Sequence, residues 1–266
     1  MSYPTFAAEK VLNELQINSP DDLRYLDEIA WTRGALVRQM PLSSAEARLT
    51  IYRDKAVITI SSMVSNPQRK RFSIAHELGH LEIHRHRNLL SVCLSDDINY
   101  NEVKDTGKKL EQEANEFASA FLLPERFFEP LCNTEDPCLE YIEGLARLFN
   151  TSLTATALRY VHYSYEPVVL IYSENQHIKW VQQSIELKDL RLFINGGRKL
   201  DSTSMAIRQS SKQQHVFANI WFDEGEFDAD AKLMEHSWQM PNHNAILTLL
   251  WLDQEIIDDE DDDDRF

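Results

Sequence analysis

The 266-residue sequence has few cysteines, no long apolar run near its start and too few basic residues to balance its acids. The cysteines are Cys93, Cys132 and Cys138, and none forms a CxxC pair, so reduced thiols are expected. No early apolar run is long enough for a signal peptide or a membrane span, so no membrane association is expected. Together these absences predict a cytoplasmic protein.

Positive charge is also scarce. The chain has 27 Lys and Arg against 43 Asp and Glu, a formal net charge of −16. Residues 258–264 are all acidic and predict a disordered tail over residues 258–266. Tight non-specific DNA binding needs clustered basic residues, so direct DNA binding is disfavoured. A basic protein partner, such as a DNA-binding repressor, would be attracted instead.

Against this background one motif stands out, His76-Glu-Leu-Gly-His80. Two histidines four residues apart on a helix lie on one face, so both can bind one metal ion. Glu77, beside the first histidine, could take a proton from a metal-activated water. This HExxH spacing is typical of zinc-dependent peptidases. The alternative is a histidine-rich surface helix that binds no metal.

The flanking residues predict that the motif is helical. Asn66 is a suitable N-cap and Pro67 suits the first helical turn, so a helix is expected from there to about His84. An apolar stripe runs beside the histidines. Gly79 weakens the helix slightly, but we expect it to let other backbone approach the metal side.

A catalytic zinc usually has three protein ligands, and three residues are candidates for the third. Glu111 lies on a second predicted helix, at the edge of its apolar stripe, and Asn115 one turn later could hydrogen-bond a ligand histidine. Glu113, on the other side of that stripe, is expected to be a solvated charge. His86 has the metzincin spacing HExxHxxGxxH, but Ile83 occupies the glycine position and favours continuing the helix.

These two helices carry a family resemblance. Arg71-Phe-Ser-Ile-Ala-His-Glu-Leu-Gly-His80, followed by His84, resembles the metal-binding helix of the ImmA/IrrE metallopeptidases. The segment from Glu111 to Ala118, running into Leu122-Leu-Pro124, resembles that family's second helix. The resemblance implies a gluzincin-like site with His76, His80 and Glu111 as ligands and Glu77 as base. Family members are typically bacterial or phage proteins, and several cleave helix-turn-helix repressors.

Pattern and order divide the chain into an α+β protein of three parts and a tail. Residues 1–130 are predicted to form the metallopeptidase domain, with a hairpin over residues 47–60 and a substrate-binding sheet edge within residues 50–62. Residues 131–165 read as a helix-turn-helix-like segment. Residues 166–257 read as an antiparallel α/β domain similar to the GAF-like sensory domain of longer IrrE-type proteins, which could hold a small regulatory ligand. A helix is expected there over residues 187–194, and five strands are expected over residues 168–172, 178–182, 216–222, 233–240 and 246–252.

The resulting hypothesis is a zinc-dependent endopeptidase that cuts a partner protein selectively. The expected partner is a helix-turn-helix transcriptional repressor, and the cut would relieve repression. Ligand type favours Zn²⁺, with Mn²⁺ or another divalent metal as alternatives. The oxyanion-stabilising residue stays open among His84, Tyr100 and His162. Two other classes compete, a metal-binding regulator without catalysis and a DNA-binding transcription factor.

Overall fold

The computed structural model describes residues 1–43, 45–53, 55–85, 102–189, 192, 194–208, 212–223, 227–240 and 244–252. Its helices and two β-sheets confirm the predicted α+β class. The described residues fall into two compact units. The first comprises Met1–Phe128 and Ala146–Ser152, and the second comprises Glu129–Leu145 and the described residues from 153 onward. The predicted domain boundaries at 130, 165 and 257 stay predictions, and the acidic tail lies outside the described residues.

The first unit places helices against a three-stranded sheet. Its elements are α1 (Tyr3–Glu14), α2 (Leu26–Thr32), β1 (Ala35–Met40), β2 (Ala47–Tyr52), β3 (Lys55–Ser61), α3 (Pro67–His84), α4 (Glu102–Leu122) and α5 (Glu125–Phe128). The strand order is β1-β3-β2, with β1 parallel and β2 antiparallel to the central β3. One sheet face packs on α3 and α4 through a shared apolar core.

The hairpin predicted over residues 47–60 is present as β2 and β3. Tyr52 pairs with Lys55 at its turn and Ala47 with Ile60 at its open end. Within residues 50–62, only the end of β2 lies on an edge strand, because β3 is central. Substrate binding at this edge stays a prediction. Strand β1 was not predicted. Among its residues only Ala35 is buried, so its sequence lacks the alternation that marks a half-buried strand.

Helix α3 begins and ends where its sequence predicts. The Asn66 side chain accepts a hydrogen bond from the Arg69 N–H at 2.9 Å, and Pro67 occupies the first turn. Ala75, Leu78 and Leu81 bury the apolar face in the core. The helix therefore presents its histidine face in a fixed orientation.

Gly79 allows α3 and α4 to pack closely, because the side chain of Phe117 on α4 lies against it. A Cβ atom at Gly79 would lie 3.0 Å from Cδ1 of Phe117, on α4. The expectation that Gly79 admits other backbone is therefore wrong, because the ring of Phe117 fills that space. The two helices pack closely at the point where they carry the candidate ligands.

The second unit begins with a helix pair whose bounds agree with the predicted helix-turn-helix elements. Helix α6 (Leu139–Phe149), which both units share, and helix α7 (Leu153–Tyr163) are joined at Asn150, whose φ of 52° lies in the left-handed region that asparagine tolerates.

The rest of the second unit is a five-stranded antiparallel sheet with short helices, as predicted. Its elements are β4 (Val168–Glu174), β5 (His177–Gln183), α8 (Ile185–Asp189), α9 (Met205–Arg208), β6 (Gln214–Phe217), β7 (Lys232–Met240) and β8 (Ala245–Trp251), and the strand order is β5-β4-β8-β7-β6. No helix among the described residues combines the length and apolarity needed to cross a membrane.

Two predicted elements of this unit differ in the structure. The strand predicted over residues 216–222 ends at Phe217, and a 3₁₀ turn over Ala218–Ile220 follows. Trp221 and Phe222, just after that turn, are both buried, so their burial does not need the alternation of a strand. The helix predicted over residues 187–194 is observed at Ile185–Asp189, and residues 190, 191 and 193 lie outside the described part of the chain.

Candidate metal centre

Helices α3 and α4 bring two imidazoles and one carboxylate to one point. The Nε2 atoms of His76 and His80 lie 3.1 Å apart. Glu111 places one carboxylate oxygen 3.2 Å from Nε2 of His76 and the other 3.4 Å from Nε2 of His80. Among the described residues, these three form the group of side chains that could hold a metal ion.

The spacing of these atoms suits a tetrahedral ion. Zinc bonds to nitrogen and oxygen of about 2.0–2.1 Å imply about 3.3 Å between neighbouring ligand atoms at a tetrahedral angle. The two imidazole nitrogens lie 3.1 Å apart, and each lies 3.2 or 3.4 Å from a different oxygen of Glu111, so all three separations are close to that value. Three protein donors also leave a fourth position for water or substrate, which distinguishes catalytic from structural zinc sites. The donor set therefore fits a catalytic divalent metal.

Electrostatics agree with an incomplete cation site. The neighbouring histidines hold the pKa of Glu111 far below its usual range, mainly through hydrogen bonds to His76 and His80. Burial acts to lower the pKa of His76, but the hydrogen bond to Glu111 and the charge of Glu77 outweigh it and raise that pKa. Both shifts have the sign expected where an imidazole and a carboxylate face each other.

Asn115 holds the outer side of the first histidine, as the sequence predicts. Its Oδ1 lies 2.9 Å from Nδ1 of His76. Since a carbonyl oxygen can only accept, Nδ1 donates, which leaves Nε2 of His76 as the atom facing Glu111 and His80. Such outer hydrogen bonds are usual for ligand histidines because they fix the ring and its tautomer.

The second histidine has outer partners that the sequence reasoning missed. Nδ1 of His84 lies 2.9 Å from Nδ1 of His80, and Nε2 of His84 lies 2.9 Å from a carboxylate oxygen of Glu113. Glu113 was a candidate third ligand and otherwise an expected solvated charge. The second expectation is wrong, because its carboxylate pairs with a buried histidine and its side chain is only 19% exposed. The spacing of His84, one turn after His80, was the available signal.

Glu77 lies beside the donor set and is nearly buried. Burial raises the pKa of its carboxyl group, although the charges of His80 and His76 oppose that effect. The backbone N–H of Leu49, in edge strand β2, donates a hydrogen bond to it. A carboxylate held in this way next to the donors has the placement that a general base requires.

The other histidines, cysteines and tyrosine considered in the sequence lie outside the described parts of α3 and α4. His86, Cys93 and Tyr100 lie outside the described residues. His162 is on α7, in the second unit. Cys132 is also in the second unit, where burial raises the pKa of its thiol to about 12 and makes it unreactive.

Comparison with known proteins agrees with this geometry. Residues 32–161, just under half of the chain, match the model of the M78 peptidases, described as an IrrE N-terminal-like domain. A solved structure titled "Mycobacterium tuberculosis transcriptional regulator" resembles 95% of this chain and 76% of its own chain, with 19% identity and a TM-score of 0.57. At that identity the likeness supports the fold alone. A search of curated proteins finds no match. Residues 32–161, which carry all the candidate metal donors, are therefore similar to the N-terminal domain of the ImmA/IrrE family.

Proposed function

We propose that this protein is a zinc-dependent endopeptidase that makes a selective cut in a helix-turn-helix transcriptional repressor. The observation that carries the proposal is the convergence of His76, His80 and Glu111, whose facing nitrogen and oxygen atoms lie 3.1–3.4 Å apart, with Glu77 beside them, in a domain of a peptidase family. A purely structural zinc would favour four protein ligands and would not need a base next to them.

His76, His80 and Glu111 would hold the ion. Once bound, it would supply Lewis acidity by activating water and polarising the peptide carbonyl. Two imidazole nitrogens and one carboxylate favour zinc over the harder magnesium or calcium ions, while manganese stays an alternative. Asn115 would keep the His76 ring turned toward the ion through its bond to Nδ1.

Glu77 is proposed as the proton carrier. Its carboxylate would take a proton from the attacking water and deliver it to the leaving amine. Because burial raises the pKa of Glu77, the group is a better proton acceptor than an exposed glutamate. The hydrogen bond from the Leu49 N–H fixes the position of the carboxylate relative to the helix.

Strand β2 is the proposed support for the substrate. It is an edge of the three-stranded sheet, and its residue Leu49 interacts through its backbone with Glu77. An extended peptide could add to this edge through backbone hydrogen bonds, next to the donors. A substrate bound in this way must offer an exposed, extended segment, as a loop or hinge of a folded repressor would.

The proposed partner is a protein, not DNA. The net charge of −16 disfavours a DNA surface and suits a basic partner. Helix α7 carries one arginine, Arg159, and its guanidinium lies 4.7 Å from the ring centre of Tyr163. Nε and one terminal nitrogen of Arg159 are buried, so this arginine is poorly placed to contact phosphate.

The test is incubation of the purified protein with Zn²⁺ and the repressors encoded beside its gene, followed by mass spectrometry of the products. One discrete cut is expected with the wild-type protein and none with Glu77→Gln. Glu82→Gln is the matched control, because it makes the same change on α3 at a residue that pairs with Arg33, outside the donor set. Equal repressor-dependent activity of Glu77→Gln and wild type would refute the enzymatic proposal and favour a non-catalytic regulator.

A further inference from the structure

A second connection between α3 and α4 lies directly behind His80. It runs from Nδ1 of His80 to Nδ1 of His84 at 2.9 Å and from Nε2 of His84 to Glu113 at 2.9 Å. We propose that His84 and Glu113 are positioning residues that fix the ring and tautomer of His80 toward the metal. This inference rests on the metal site of the proposed function and concerns residues that do not touch the ion.

Burial explains why this contact must be specific. The side chain of His84 is 1% exposed and that of His80 is 9% exposed. A buried imidazole that lacks hydrogen-bond partners is costly, so each ring is held in an orientation that satisfies its nitrogens. A ring held at both nitrogens cannot flip without losing both bonds. The pair therefore restricts His80 to one orientation.

The acceptor at the far end sets the direction of the hydrogen bonds. An ionised carboxylate can only accept a hydrogen bond, so Nε2–H of His84 donates to Glu113. If His84 carries this one ring proton, its Nδ1 accepts the hydrogen bond from Nδ1–H of His80 at 2.9 Å. His80 is left with Nε2 unprotonated, and this is the atom that faces Nε2 of His76 and the carboxylate of Glu111. The hydrogen bonds from His80 to His84 and from His84 to Glu113 thus favour the tautomer of His80 that can bind a metal ion.

The two ligand histidines consequently differ in support. His76 donates to the neutral amide of Asn115, whereas His80 donates into a chain that ends in a negative charge. A carboxylate partner raises the basicity of a ligand imidazole more than an amide does. Lys109 lies 3.9 Å from Glu113, but its side chain is 74% exposed, so it neutralises that charge only weakly. His80 is therefore expected to be the stronger of the two nitrogen donors.

The first experiment measures Zn²⁺ affinity by competition with a chromophoric chelator for wild type, Glu113→Gln, His84→Gln and His84→Ala. Loss of an outer partner of a ligand typically weakens metal binding about 10-fold to 100-fold, and we expect losses in this range for Glu113→Gln and His84→Ala. Glu116→Gln is the matched control on α4, because Glu116 accepts hydrogen bonds from Ser2 and Thr5 instead. Glu113 is near the surface, so Glu113→Gln keeps the test valid even if the buried His84→Ala fails to fold.

The second experiment reads the tautomer directly, by ¹⁵N NMR of the histidine rings in metal-free protein. The wild type is expected to show His80 protonated at Nδ1 and unprotonated at Nε2. His84→Ala should lose this preference. His84→Gln should restore it, because the glutamine carbonyl oxygen can accept from Nδ1–H. A merely structural contact would change the free energy of unfolding and leave the tautomer unchanged.

The outcomes separate this inference from the proposed function. The wild type could cleave its partner while the Glu113→Gln and His84→Ala variants bind Zn²⁺ as tightly as wild type. That result would contradict the role of His84 and Glu113 and would support the proposed peptidase activity. Alternatively, the protein could show the predicted His80 tautomer and the predicted losses of Zn²⁺ affinity in the variants but cleave no partner. That result would contradict the peptidase activity and would support the role of His84 and Glu113.

Discussion

Each unit contains a group of polar side chains around a glutamate, and the two groups have opposite chemistry. In the second unit Glu235 is fully buried, and its carboxylate accepts from Nε1 of Trp221, the N–H of Ala206 and the hydroxyl of Ser237 at 2.8–3.1 Å. In the first unit, Glu111 faces the Nε2 atoms of His76 and His80. Protein donors satisfy the carboxylate of Glu235. The carboxylate of Glu111 instead converges with His76 and His80, and all three are potential metal ligands. A converging set of this kind can bind a cation, whereas protein donors already surround the carboxylate of Glu235.

Removing the satisfied carboxylate should have the largest effect on folding. Glu235→Ala leaves several buried donors without an acceptor, and we expect a loss of about 3 kcal/mol or more in the free energy of unfolding. Urea unfolding followed by tryptophan fluorescence reports this, since Trp180, Trp221, Trp238 and Trp251 all lie in the second unit. Glu186→Ala, at an exposed site of that unit, should change it by about 0.5 kcal/mol or less. Equal losses in the two variants would contradict the role assigned to Glu235.

Metal should stabilise the converging group by a similar amount. A ligand present at 100 times its dissociation constant stabilises the folded state by about 2.7 kcal/mol, and we expect that gain when Zn²⁺ is added to metal-free wild type. Glu111→Gln should abolish most of the gain while changing the metal-free protein little, because the Glu111 side chain is 51% exposed. Thermal unfolding with and without Zn²⁺ measures both quantities. An equal zinc-dependent gain in Glu111→Gln would exclude this residue as a ligand.

Changing the contact between α3 and α4 at Gly79 should have a somewhat smaller effect on the free energy of unfolding. Gly79→Ala places a methyl group 3.0 Å from the ring of Phe117, and overpacking of this kind costs about 1–3 kcal/mol. Because α4 carries Glu111, zinc affinity should fall as well. Gly144→Ala is the matched control, since a Cβ there meets no atom within 4 Å, and it should stabilise α6 by about 0.5–1 kcal/mol. Chemical denaturation followed by far-UV circular dichroism distinguishes these opposite signs.

The smallest effect is expected at the outer support of His76. Asn115→Ala removes the acceptor of its Nδ1–H and should weaken Zn²⁺ binding about 10-fold, which is about 1.4 kcal/mol. Chelator competition measures the change. Asn115 is exposed, so the free energy of unfolding of the metal-free protein should change little. A variant that loses stability and keeps its zinc affinity would show that Asn115 supports packing instead of the metal site.

Local sequence signals predicted most of the site. Asn66 and Pro67 fixed the start of α3, and the position of Glu111 at the edge of an apolar stripe correctly placed it near the two histidines. The partner of Glu113 could not be predicted, because a helical wheel gives the direction of a side chain relative to its own helix and not the register against a neighbour. The contact with His84 depends on how far α4 slides along α3, which the packing of Phe117 on Gly79 sets.

The fold shows the same limit. Strands that alternate or bury both faces, such as β4 and β8, were predicted, whereas edge strand β1 was not, because nearly all of its side chains are partly or fully exposed. The turn before Trp221 was assigned to a strand because it lies in a mostly apolar segment over residues 216–222, and apolar residues are buried equally well by a turn.

The central claim is that the HExxH helix and Glu111 together form a metal site. Its most direct test is the zinc content per chain of purified wild type, Glu77→Gln and His76→Ala, measured by inductively coupled plasma mass spectrometry. We predict one zinc per chain in wild type and in Glu77→Gln, and none in His76→Ala. Stoichiometric zinc in His76→Ala, or none in wild type purified and reconstituted with Zn²⁺, would contradict the assignment.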